Sequence, residues 1–163
     1  MTSKTFQRLM CLAFMMLGTQ SIHAQSPNNQ GSQTVEHSQI QSTIDTNNAA
    51  VSARDIEGVL ATYEPNAVLV GQPGMPVMGT SALREAFKQF LALDPKLAVT
   101  GQEIIQAGDT ALHSYTWKMS GKAPDGTPIE QSGLSVVVLR KQFDGRWLMV
   151  IDNPFGNHLL QKN

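Results

Sequence analysis

The chain holds one cysteine, Cys11, and it falls among the first two dozen residues. There, Lys4 and Arg8 precede an apolar run from Leu9 to Leu17, and Ile22-His23-Ala24 follows it. A basic start, a short apolar stretch and a small-residue site make up an export leader, so residues 1–24 are expected to be cleaved after Ala24. A short buried helix and a retained anchor are the other readings of this run. Cleavage would leave no cysteine, which excludes disulfides in a protein expected to be periplasmic or secreted. The apolar run is too short to span a bilayer, and no membrane attachment is expected after cleavage. Cys11 also lacks the preceding small residue of an acylation site.

Other absences narrow the chemistry. Ten basic against thirteen acidic side chains follow position 24, a net charge of −3, and no basic run is interleaved with aromatics. Nothing here points to a nucleic-acid partner. The histidines at 23, 37, 113 and 158 are scattered, without His-x-His or His-Glu-x-x-His spacing, so neither a metal centre nor a cofactor is expected. No Gly-x-Ser-x-Gly elbow is present, and Gly71 and Gly74 do not open a helix as a phosphate cradle would.

What remains is enough for one ordinary core. Residues 25–36 form a polar linker expected to be disordered, because Gln25 to Thr34 contains no apolar residue. A domain over residues 37–158 follows. Ile40, Ile44, Asn47 or Asn48, and Val51 recur at helical spacing. Asp55 is placed to cap a second helix bearing Ile56, Val59, Leu60 and Tyr63, closed by Pro65. Ala67–Val70 reads as a short strand with a stub at Val77-Met78. Thr80 or Ser81 caps a third helix with Leu83, Phe87, Phe90 and Leu91 inward, and Asp94-Pro95 breaks it. Lys96–Ile105 alternates like a strand. Then Ala111–Ser120 puts Ala111, His113, Tyr115, Trp117 and Met119 on one face, and Asp125-Gly126 and Asp144-Gly145 supply hairpin turns to the next two strands.

Helices gathered early and strands late predict an α+β fold: a curved antiparallel sheet, or cone, packed against three N-terminal helices. The space between sheet and helices is a natural pocket.

Ala53–Val70, Val77–Phe87 and Phe143–Gly156 resemble segments of the SnoaL-like and ketosteroid isomerase-like domains of the nuclear transport factor two-like superfamily. The resemblance spans roughly Ile40 to Gly156 and implies the same cone and helices. It also implies homodimers through the outer sheet face, and chemistry that ranges from isomerisation to simple binding. The isomerase uses a carboxylate base at the end of the first strand, a Tyr on the first helix and a protonated Asp on a late strand. Aligned through Asp55, these roles fall on Gly71 or Gln72, on Asn47, and at or near Val137 or Val138. None of those residues can fill its role.

The candidates lie elsewhere. His113, beside Tyr115 and Trp117, either holds a flat ligand and moves protons or packs as core with its polar tip satisfied. Asp152 either serves as a base, pairing with His113 as in related dehydratases, or caps the turn through Asn153-Pro154. Asn47, Tyr63, Tyr115, Trp117 and Asn153 are candidate ligand contacts, since an amide on an apolar helix stripe must find a partner. Three functions are open: a pocket protein for a small, mostly apolar ligand; an isomerase, dehydratase or hydrolase using Asp152 and His113; and a non-catalytic dimerisation module. The partners expected are a small molecule and a second copy of the chain.

Overall fold

The computed structural model describes residues 29–161, with side chains from 35 to 160. The expected leader and residues 25–28 of the expected linker lie outside the described residues. Helix α1 spans Asn29–Ala53 and buries Ile40, Ile44 and Val51, as the periodicity predicts, together with Ala50. It starts six residues before Val35, inside the stretch expected to be disordered. Once the turns from Val35 onward are docked, extending the helix costs no new nucleation. Glu36, also assigned to the linker, is tied to the domain by Lys141 and Gln106.

Asp55 caps α2, Ile56–Leu60, by accepting from the Gly58 amide at 3.0 Å. This helix ends earlier than its apolar spacing suggests. Tyr63 and Pro65 belong instead to β1, Tyr63–Gln72, which hairpins into β2, Met75–Met78. Helix α3, Thr80–Leu91, buries Leu83, Phe87 and Leu91, but its cap is Gly79 at φ 84°, not Thr80 or Ser81. The chain leaves β2 through a conformation that only glycine adopts at little cost.

Four strands complete the chain: β3, Lys96–Ala107; β4, Thr110–Lys122; β5, Pro128–Lys141; and β6, Trp147–Asn153. A short 3-10 turn, His158–Gln161, ends the described residues. The six strands form one curved, unclosed sheet in the order β2-β1-β6-β5-β4-β3. All neighbours are antiparallel except β1 and β6, which run parallel because the helices and the meander carry the chain around before it returns. The main core joins the helices to one face of the sheet through Ala111, Val137, Leu139, Trp147 and Met149. No helix among the described residues is long and apolar enough to cross a membrane.

Leu139 is fully buried at the centre of this core. Leu139→Ala should lower the urea-unfolding free energy by about 3 kcal/mol, the usual cost of such a cavity. An unchanged midpoint would contradict the packing described.

Candidate functional site

Side chains alternate strictly along a regular strand, so a one-residue slip turns every later side chain to the other face. Strand β6 contains such a slip. Val138 pairs with Ile151 but Leu139 pairs with Met149, leaving Val150 as an extra residue, a β-bulge. Trp147 and Met149 point inward, and simple alternation would put Ile151 inside and Asp152 outside. The bulge reverses this: Ile151 is 42% exposed, while Asp152 is 9% exposed, between Val137 and Leu69. A second bulge between Val99 and Gly101 sets Gln102 opposite Tyr115 and Ile104 opposite His113.

Register then defines the inner face. One row runs Ile104, His113, Val137, Asp152, Leu69, the next Gln102, Tyr115, Ser135, and the next Val99, Trp117, Gly133. Trp117 lies flat over Gly133, where an added Cβ would stand 2.8 Å from the indole, and its Nε1 donates to the Pro154 carbonyl at 3.1 Å. A cleft of about 280 Å³ adjoins it, walled by Trp117, Phe155 and Pro73 with Gln131, Asn157 and His158.

Polar groups cluster behind this aromatic wall. The Tyr63 hydroxyl donates to Asp152 Oδ2 at 2.6 Å. Asn47, half-buried on α1, donates to Thr62 Oγ1 at 2.9 Å and stands beside the Tyr63 phenol, while Asn48 faces water. Burial pushes the Asp152 carboxyl above the ordinary carboxylate range, with Tyr63 and Ser135 acting in the opposite sense. Burial first, then Asp152, raises both the Tyr63 and the Tyr115 phenols. His113 stacks on Tyr115, centroids 4.8 Å apart, and its Nε2 meets Gln102 Oε1 at 3.2 Å. That carbonyl oxygen can only accept, so Nε2 carries the hydrogen and Nδ1 is left as an acceptor. Burial lowers the His113 pKa to about 4, against the pull of Asp45. His113 Nδ1, Ser135 Oγ, Asp152 Oδ1 and, in the core, Trp147 Nε1 are buried without a hydrogen-bond partner among the described residues.

Six of the seven candidates read from the sequence therefore converge: Asn47, Tyr63, His113, Tyr115, Trp117 and Asp152. Asn153 does not. It pairs with Val136 on the outer face, and its Oδ1 accepts from the Phe155 amide at 3.0 Å, so Asn153, not Asp152, holds the terminal turn. Nor do His113 and Asp152 form a pair. Both lie opposite Val137, on either side of β5, which separates them by two strand spacings of about 4.8 Å each. Sequence reasoning missed Ser135 and Gln102. Ser135 could have been found, because the Asp125-Gly126 turn fixes a register that pairs it with Tyr115. Gln102 could not, since the β3 bulge decides its face. No group of three or more His, Cys, Asp or Glu among the described residues could hold a metal ion.

His113 sets a pH dependence. The unfolded chain takes up a proton near the ordinary value of 6.5 that the folded chain refuses until about 4. Its contribution to stability is thus complete above pH 6.5 and is lost progressively as pH falls to 4. Urea titrations of wild type and His113→Gln over this window should diverge, with the wild type losing more stability on acidification. Parallel curves would show that His113 is not held neutral.

The family profile of the SnoaL-like domain matches residues 45–149. Three solved structures share the fold. A ketosteroid isomerase-like protein from Erwinia carotovora atroseptica is 21% identical, with a TM-score of 0.63 over 71% of this chain and 92% of its own. A candidate dehydratase of the NTF2-like family from Streptomyces avermitilis is 16% identical, with a TM-score of 0.65 over 74% and 95%. A candidate aromatic ring hydroxylase from Novosphingobium aromaticivorans is 23% identical, with a TM-score of 0.65 over 74% and 87%. No curated protein matches. With the profile running from the second half of α1 into β6, the chain belongs to the SnoaL-like domain family, within the ketosteroid isomerase-like, NTF2-like fold.

Proposed function

We propose that this chain is an exported, single-domain pocket protein that binds a small, mostly apolar ligand in the hollow of its sheet and works as a homodimer. The observation that carries the reading is the polar cluster on the inner face, three buried atoms without partners beside the half-buried Tyr115 ring. Burying a polar atom unpaired costs about 1–3 kcal/mol, so such a cluster is expected where another molecule supplies the missing bonds. The cleft at Trp117 and Phe155 lies one register row beyond Tyr115 and Ser135.

The outer face supports pairing. Met78, Val68, Ile151, Val138, Leu112 and Ile105 lie in one register row across all six strands. Met78, Ile151 and Ile105 are 66, 42 and 53% exposed. A continuous apolar stripe that crosses a sheet uncovered is a surface that a second copy buries favourably.

Turnover is favoured by one observation, the Tyr63–Asp152 hydrogen bond of 2.6 Å to a carboxyl held above its ordinary range. A buried acid with a raised pKa is a candidate for general acid–base work. In that reading the acid–base partner of Asp152 is Tyr63, and His113 serves the wall of the pocket through its stack on Tyr115.

Native mass spectrometry of protein recovered from the exported fraction tests these points together. The expected result is a chain starting at Gln25, a dimer mass, and a retained small molecule released on denaturation. Ile151→Lys should shift the population to monomer and leave the thermal midpoint nearly unchanged. A monomer carrying no added mass would contradict the reading.

A further inference from the structure

Strand β5 outruns its neighbour. Strand β6 pairs with it only from Val136 to Lys141, so the first part of β5 has a free edge on that side. The chain leaving β6 closes one further position, where the Gly156 amide donates to the Leu134 carbonyl at 2.7 Å and Asn157 Oδ1 accepts from the Leu134 amide at 3.5 Å. It then turns away into the 3-10 segment. Backbone groups of a regular strand face its two edges by turns, and the β4 register on β5 is unbroken from Thr110 to Lys122. Glu130 and Ser132 therefore turn their amides and carbonyls to the same open edge as Leu134. Pro128, which has no amide hydrogen, ends the row. The open stretch is exposed at Glu130, Gln131 and Ser132.

The cleft at Trp117 and Phe155 opens beside this edge. Gln131 and Ser132 form one of its walls, and Trp117, Phe155 and Pro73 supply apolar surface. At about 280 Å³ it falls just under the usual range of small-molecule pockets, roughly 300–1,000 Å³, and is sized for a single side chain. Gln131 pairs with Met119 and so shares the inner side of the sheet with Trp117. A residue that an added strand sets opposite Gln131 sends its side chain to that side, towards the cleft. Its two neighbours, opposite Ser132 and Glu130, point to the outer side. Glu130 forms no ion pair among the described residues and is the charge nearest to that strand, since Lys118 and Lys122 stand one strand farther off on β4.

We propose that the free edge of β5 at Glu130 and Ser132 takes an extended peptide as an added strand, antiparallel to β5 as β6 is, with one apolar side chain seated in the cleft. Main-chain hydrogen bonds hold such a strand, and the cleft selects its sequence. Opposite charges across neighbouring strands attract, so the residue facing Glu130 is basic. The partner is a protein segment that carries, from its N-terminal side, any residue opposite Ser132, an aliphatic one opposite Gln131, and Lys or Arg opposite Glu130. This site stands apart from the hollow and does not depend on a ligand there.

The test is a titration of nitrogen-15-labelled protein with acetyl-Thr-Leu-Lys-Thr-amide, followed by amide and indole NMR signals. The Glu130 and Ser132 amides and the Trp117 indole should shift saturably. A methyl group on the Lys nitrogen, which faces β5, should weaken binding about tenfold or more, whereas one on the Leu nitrogen, which faces away, should change it by less than about threefold. Replacing Leu by Ala in the peptide should cost about tenfold, and Lys by Glu about threefold. Ser132→Pro deletes an edge donor without removing a ladder bond, so the thermal midpoint should hold while affinity falls about tenfold or more. Phe155→Ala should weaken the Leu peptide and leave the Ala peptide unchanged. Equal effects of the two methyl groups, shifts that map to another part of the molecule, or no binding by any peptide would overturn the proposal. Self-association of the protein that Ser132→Pro abolishes would assign the edge to a second copy and overturn it too.

Discussion

The extra residue in β6 determines which side chains the inner face of this sheet carries. The turn at Asp144-Gly145 sets a register in which Trp147 and Met149 feed the core, and continuing that alternation would bury Ile151. Inserting Val150 exchanges an isoleucine for a carboxyl at the inner surface. Apolar burial alone would favour the unbulged register, because sinking Ile151 gains about 1.5–3 kcal/mol while sinking Asp152 costs several. The observed register is the one that needs compensation.

Compensation comes from two separate parts of the chain. Tyr63, at the start of β1, supplies a hydrogen bond to the carboxyl; Asn47 on α1 and Thr62 hold the neighbouring polar surface in place. One hydrogen bond to a charged group recovers about 1.5–3 kcal/mol, which is less than the desolvation cost of an ionised carboxylate. The carboxyl therefore keeps its proton to higher pH than usual, in the direction its burial dictates. The buried acid thus depends on side chains that α1 and the start of β1 bring to it.

Much of the architecture was legible in the chain because it rests on short-range patterns. The Ile40, Ile44, Val51 stripe, the Asp55 cap and the two Asp-Gly turns each carry their own physical signature, and α1, α2 and the meander follow them. The inner face of β4 was legible for the same reason, with His113, Tyr115 and Trp117 in strict alternation. What escaped was set by slips in register. Glu103 or Gln102 could face inward on alternation alone, and the β3 bulge chose Gln102. Asp152 was found as a strand-end acid, but its neighbour was misjudged: alternation cannot tell which of Asp152 and Asn153 turns inward when Val150 stands outside the ladder. The pairing of Asp152 with His113 failed because both face the same side of the sheet across an intervening strand, a separation that depends on strand order and not on sequence distance.

Among the described residues, the inner face of this sheet carries one buried acid. It arrives on β6, hydrogen-bonded by a tyrosine from β1. The most direct check on this account is the carboxyl titration of Asp152 in the folded protein, followed by its carbon-13 side-chain resonance. The account predicts a midpoint clearly above the ordinary aspartate value of about 3.9, moving higher still in Tyr63→Phe as the hydrogen bond is lost. A midpoint at or below that value would place Asp152 in water or beside a cation, and the buried site described here would not exist.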